Sequence, residues 1–255
     1  HMGGNSKFFE EFSVHNFWDT DNNKTIADDS WEGSPHNKED WDFYQKLKKG
    51  EVDDTGRKVF TSGDVNKYYG EDDNGGLGDQ ITILAPTKAL IDTANKNEQW
   101  NDSSPVILFK NGPFKMIFSG DSEDLTWQHI LDEHRDLVED IDILIAPHHG
   151  RDSGRNWDFI DVLKPRLTLI GNAKSQHLAY DKYRKHGQII TNNQAGNIIL
   201  DKSETNFLNV YVSNKKFAER FKNSHYDNTV DAHYIGYLGE YSSDFSVDSS
   251  KIPLS

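Results

Sequence analysis

The chain has 255 residues, no cysteine and a formal net charge of −14, from 42 acidic against 28 basic residues. Without thiols it can build neither a disulfide framework nor a thiolate metal site, so a metal would have to be held by its 11 histidines and its carboxylates. The acidic balance argues against a broad electrostatic nucleic-acid surface. The lack of any run near the roughly 18 to 20 apolar residues that span a bilayer, and of a charged-then-apolar leader, predicts a soluble, cytoplasmic chain with no membrane partner.

Phe8, Phe9 and Phe12 at helical spacing, then Val14 and Phe17-Trp18, predict a short helix leading into a buried strand. A solvated loop follows from Asp19 to about Asn37. Trp41, Tyr44 and Leu47 fall three apart between Lys38 and Lys49, with Gly50 just beyond, which predicts a helix with its stop. Val59-Phe60 and Ile81 to Leu84, separated by Ser62-Gly63-Asp64 and the glycine pairs near 75–79, read as strands and hairpins of an antiparallel sheet. Gly75-Gly76-Leu77-Gly78 lacks the lysine and the strand-to-helix setting of a phosphate cradle, so it reads as a hairpin turn.

Val106 to Phe109 and Phe114 to Phe118 flank Asn111-Gly112, a strong hairpin signal, and the second strand runs into Ser119-Gly120-Asp121. Leu125 to Leu137 then predicts an amphipathic helix, and the apolar run Ile141 to Ala146 ends in Pro147-His148-His149-Gly150. Helix near Trp157 to Leu163, strand Leu167 to Ile170, helix near Leu178 to Lys185, and strands at Ile189-Ile190 and Ile198 to Leu200 complete an alternation that implies a sheet covered by helices. Residues 1–205 are expected to form one domain. Residues 206–255 are expected to add a C-terminal extension with a strand at Phe207 to Val212, an aromatic stretch from Tyr234 to Tyr241 and a disordered Ser/Asp-rich tail.

Two strand ends thus deliver polar ligands. Asp121 follows a glycine that lets the chain turn sharply, and it either binds a ligand or caps the helix near Leu125, a role Asp124 could take instead. His148 and His149 are adjacent, so one of them can face a metal while the other packs or supports it; imidazole and carboxylate together suit zinc or manganese. His177 precedes a helix where it would face the same sheet edge and hydrogen-bond a substrate, or stand in solvent. His15, His36, His129, His134, His186, His225 and His233 lack a supporting constellation and read as structural or surface residues.

Ser62-Gly63-Asp64, Gly78-Asp79-Gln80 through Pro86, Asn101-Asp102-Ser103-Ser104, Phe118-Ser119-Gly120-Asp121 and Ala146-Pro147-His148-His149-Gly150, in that order, resemble the motifs of the metallo-β-lactamase superfamily. The soluble domain of ComEC-type competence proteins is the branch most resembled, through Phe159 to Gly171, His177 and Asn197, over roughly residues 1–200.

The resemblance implies an α/β fold, a four-layer αββα sandwich with a cleft for two divalent metal ions, Zn or Mn. In it Asp121 would bridge the metals, His149 would be the late histidine ligand and His148 its neighbour. Asp121 and His149 would be the catalytic centre, with His177, Ser103 and Ser104 on the substrate side. The superfamily's early His-x-His-x-Asp-His motif is not present in full. His1 would be its last histidine, leaving the sandwich N-terminally incomplete, unless His1-Met2 is a cloning remnant.

The expected function is a metal-dependent hydrolase of phosphodiesters, with nucleic acid or a nucleotide as substrate. The alternatives are a catalytically degenerate binding protein of the same fold, or an ester or lactone hydrolase. On this reading the chain by itself is inactive, and an upstream segment or partner chain covers its N-terminal side, where Phe8, Phe9, Phe17 and the Val106 to Phe118 hairpin would be exposed.

Overall fold

A computed structural model of the protein describes residues 3–32, 37–64, 79–111, 114–202, 207–225 and 237–242. His1, the Gly75 to Gly78 turn and the segment 243–255 lie outside the described residues. Helix α1 (Asn5–Glu11) leads into strand β1 (Asn16–Asp19), and α2 (Lys38–Lys49) follows. The sequence explains both ends of α2. The Asn37 side chain accepts from the Glu39 amide at 2.9 Å, lysines fill the last turn, and Gly50 takes the left-handed conformation at φ 71°. Strand β2 (Gly56–Val59) pairs with β1 in parallel, which corrects the expected antiparallel hairpins here. The physical reason is the connection, which carries α2 and is long enough for a crossover.

The centre is a six-stranded sheet of β3 (Ile81–Ala85), β4 (Val106–Asn111), β5 (Phe114–Phe118), β6 (Ile143–Ile145), β7 (Leu167–Ile170) and β8 (Gln188–Thr191), neighbours in that order. The β3–β4 and β4–β5 pairs are antiparallel, the latter closing at Asn111↔Phe114 as the hairpin signal required, and β5 through β8 run parallel. Helix α3 (Lys88–Asn97), not expected from the sequence, follows β3 behind a Thr87 cap that accepts from the Leu90 amide at 3.1 Å. The single helix expected over Leu125 to Leu137 is two, α4 (Asp124–Glu133) and α5 (Arg135–Val138), because His134 leaves the helical region at φ −129°.

Helices α6 (Asp158–Leu163) and α7 (Tyr180–Tyr183) join α4 and α5 on one face of the sheet. There Trp127, Ile130, Val138, Phe159, Ile160, Leu163 and Tyr183 bury Leu84, Val106, Leu108, Ile117, Leu144 and Ile170. Trp127 and Phe159 stack with centroids 4.3 Å apart. Truncating an aromatic so placed costs about 3–5 kcal/mol. Strand alternation sends Phe114, Ile143, Leu167, Leu169 and Ile190 to the other face. After the short α8 (Asn192–Ala195), that face is covered by a three-stranded sheet of β9 (Ile198–Lys202), β10 (Phe207–Val212) and β11 (Tyr237–Ser242), and by helix α9 (Lys215–His225), which periodicity had not flagged.

Leu208, Val210 and Val212 therefore share a core with the main sheet, so the strand expected in a C-terminal extension is packed into the body. At the other end of the same face, Phe60 and Trp18 cover Ile83. One face of the hairpin expected to be exposed is buried under the helices, at Val106, Leu108 and Ile117; on the other face Ile107, Phe109 and Met116 are half-buried and Phe118 is exposed, as are Phe8 and Phe12, while Phe9 and Phe17 are half-buried. Among the described residues no helix is long and apolar enough to cross a membrane.

Candidate functional site

Strands β5 and β6 are parallel neighbours with Phe118 opposite Ile145, so the two chain segments that leave them emerge side by side. Carboxyl ends of parallel strands are where open α/β sheets place their sites. The Ser119 hydroxyl donates to the Ile145 carbonyl, and the His148 amide donates to the Gly120 carbonyl at 3.0 Å, which stitches the Asp121 turn to the His148-His149 turn. Gly120 is required there. Its φ is 52°, and a Cβ would stand 3.0 Å from the Ser104 Cβ.

The double-histidine turn is strained. His148 and His149 hold φ of 50° and 58°, a left-handed conformation that costs a non-glycine residue roughly 1–2 kcal/mol and that clusters at functional sites. The two rings lie with centroids 6.4 Å apart and planes tilted by 57°. His149 Nε2 comes within 3.8 Å of Asp121 Oδ1. The His149 ring is seated against the backbone after β7, where a Cβ at Gly171 would come within 2.9 Å of Nδ1.

His148 takes a different partner. Its Nδ1 lies 3.2 Å from Glu123 Oε1 and 3.3 Å from the Ser153 hydroxyl. Asn101 donates to the same Glu123 oxygen at 3.1 Å. Glu123 was missed by sequence reasoning; its only signal was its place in the turn after Asp121, and Asn101 reaches it from a separate segment. A carboxylate on Nδ1 selects the tautomer with Nδ1 protonated and the lone pair on Nε2. Asp124 lies in the first turn of α4 and is not its cap. The Asp124 carboxylate accepts from the Asn156 amide at 2.9 Å, and the cap is Asp102, which accepts from the Thr126 amide at 3.1 Å and its hydroxyl at 3.0 Å. Burial pushes the Asp102 carboxyl above its ordinary value of 3.8, against the pull of those two donors.

The remaining expected site residues divide. The Ser104 hydroxyl accepts from the Asp121 amide at 3.2 Å and so holds the turn. Ser103 is buried and donates its hydroxyl to the Trp100 carbonyl at 2.6 Å, which turns it away from any substrate. His177 is exposed; its carbonyl accepts from the Asp152 amide at 2.8 Å, which brings its segment beside the loop after His149. Beneath that loop, Arg155 is buried and donates to the Ser122 carbonyl at 3.1 Å, tying the two turns together from below.

Asp121 and His149 suit adjacent positions on one cation. Two ligands with bonds of about 2.0–2.2 Å at a tetrahedral angle stand roughly 3.4 Å apart, close to the 3.8 Å observed. Glu123 and His148 form a second carboxylate–imidazole pair beside them. Among the described residues, no three His, Asp or Glu side chains form a group that could hold a metal ion. Comparison with known proteins finds no family model that matches the chain and no curated protein that matches it.

Proposed function

We propose that the protein is a metal-dependent hydrolase of the metallo-β-lactamase type, acting on phosphodiesters of a nucleic acid or nucleotide. The observation that carries this reading is the approach of Asp121 and His149 at the ends of adjacent parallel strands, on backbone whose strain packing maintains. The helices on one face of the central sheet and the β structure on the other support an αββα layering. Asp121 and His149 would hold one divalent ion, Zn or Mn. Such an ion, when bound, supplies a water activated for attack at neutral pH.

The chain's own groups do the rest. His148, with Glu123 on Nδ1, presents Nε2 as a proton acceptor and, once protonated, as a donor to a leaving group. Arg151, exposed in the same loop, offers a guanidinium to a phosphate on an otherwise acidic protein. The ester or lactone alternative lacks a comparable cue, since the groups that gather here are charged or polar. A binding protein without chemistry is the second reading, favoured by the grouping of ligands into pairs among the described residues.

The test is hydrolysis of bis(p-nitrophenyl) phosphate by the complete protein with added Mn²⁺ or Zn²⁺. The expected result is metal-dependent turnover that Asp121→Ala lowers more than about a hundredfold without changing the circular dichroism spectrum. Equal activity in the variant would overturn the assignment, and stoichiometric metal without turnover on phosphodiester, ester or lactone would favour the binding reading.

A further inference from the structure

Two of the histidines set aside at the level of sequence meet at the far end of α4. Ser62 lies in the turn after Phe60, and its hydroxyl is 2.9 Å from His134 Nε2 and 3.4 Å from His129 Nε2. The two rings are perpendicular, at 89°, with centroids 5.5 Å apart. Residues five apart stand about 140° apart around a continuous helix, so His129 and His134 would not share a face of one. The break at His134 brings its ring round to Ser62.

The turn that carries Ser62 is firmly built. The Ser62 amide donates to the Pro86 carbonyl at 2.8 Å, the Gly63 amide to Ile83 at 3.1 Å and the Asp64 amide to Thr61 at 3.0 Å. The Asp64 carboxylate in turn accepts from the Thr61 amide at 2.6 Å. These bonds dispose of a serine-nucleophile reading despite the close imidazole, because the amides that would stabilise an oxyanion are already spent within the turn.

We propose that His129 and His134, with Ser62 as a hydroxyl neighbour, form a transition-metal site for a borderline divalent ion of the Zn²⁺ class, separate from the Asp121–His149 pair. Three observations support it. Both rings aim Nε2 at one point, which a single hydroxyl proton serves unequally: Ser62 can donate to one nitrogen and must accept from the other. The Ser62 hydroxyl rides on a rotatable bond and can leave that point, where two imidazoles converge as borderline ligands. All three residues are partly exposed, so an ion can reach them. Burial, and then the neighbouring His129, lowers the pKa of His134 from its ordinary 6.5 and keeps the ring neutral, while the Glu133 carboxylate favours positive charge nearby. Along α4, His129 lies about 7.5 Å from Asp124, and His134 stands just beyond the last residue, Glu133.

The experiment titrates ZnCl₂ into the full chain and follows the imidazole ¹⁵N resonances, comparing wild type with His129→Gln, His134→Ala, Ser62→Ala and Asp121→Ala. The site requires that the His129 and His134 Nε2 signals shift together and saturate with one equivalent, and that either histidine variant weakens this event more than about tenfold. Ser62→Ala should alter it little, and Asp121→Ala should leave it intact. His129→Gln keeps a hydrogen-bonding group for Ser62, so a folded variant is secured. Rings that ignore millimolar Zn²⁺, or a His129→Gln variant that binds as wild type does, would overturn the proposal and leave the cluster as a hydrogen-bonded brace.

Discussion

Helix α4 has histidines gathered near both ends, and the two gatherings are made of different materials. At its N-terminal end each imidazole faces a carboxylate, His149 facing Asp121 and His148 facing Glu123, on backbone held at positive φ. In its second half His129, and at its C-terminal end His134, face one serine hydroxyl and each other, and His134 sits at the relaxed φ of −129°. The contrast separates two uses of the same side chain. Carboxylate partners fix a tautomer and suit a shared cation, and strained backbone marks a geometry that packing imposes. A hydroxyl partner adds no charge, so the second cluster has no carboxylate in contact with either ring nitrogen.

The largest expected effect sharpens that contrast directly. His149→Ala should lower metal-dependent phosphodiester hydrolysis more than about a hundredfold, whereas His129→Ala should leave it within about twofold. Steady-state rates at saturating metal decide this, and equal losses would merge the two ends into one site. Next in size is Gly171→Ala. A methyl 2.9 Å from His149 Nδ1 must move the ring, with an expected cost of about 1–3 kcal/mol in urea unfolding and a matching loss of metal affinity. A neutral result would mean that His149 is free to shift and is not held in place.

Glu123→Gln should reduce turnover by roughly tenfold through His148, with a changed pH profile rather than a changed fold. An unaltered profile would remove His148 from proton transfer.

The smallest effect belongs to the other end of the helix. The folded His134 resists protonation, whereas the unfolded chain takes up its proton at the ordinary 6.5. Its contribution to stability is therefore complete above about 6.5 and is lost progressively as pH falls from there through the lower folded value. The groups facing it are His129, the Glu133 carboxylate and the Ser62 hydroxyl. Urea midpoints should fall less between pH 7 and pH 5 in His134→Asn than in wild type, and parallel curves would show that the ring's burial carries no such linkage.

The strands and the polar turns that follow them were legible because their signals are local. Asn111-Gly112 announces a hairpin, and an apolar run that stops at Gly120-Asp121 or Pro147-His148 announces a strand end. Helix α3 escaped notice because its apolar residues are few, Ala89, Leu90, Ile91 and Ala94, and its start depends on the Thr87 cap. Helix α9 hides behind lysines, with Phe217 and Phe221 as its apolar face. The parallel pairing of β1 with β2 is a choice of topology, and strand composition carries no such information.

The sequence by itself determined that the chain is an α/β protein with Asp121 and the His148-His149 pair at strand ends, because strand period, turn residues and ligand chemistry are properties of neighbours in the chain. Only the tertiary structure decided the partners. The in-register pairing of β5 with β6 brings Asp121 to His149, and Asn101 and His148 converge on Glu123 from segments far apart in sequence. Asp102 caps a helix 22 residues on from it, starting at Asp124. The break at His134 turns two unremarkable histidines toward one serine. Each of these depends on where distant segments pack, and packing is set by the whole core, so no local pattern could have announced them.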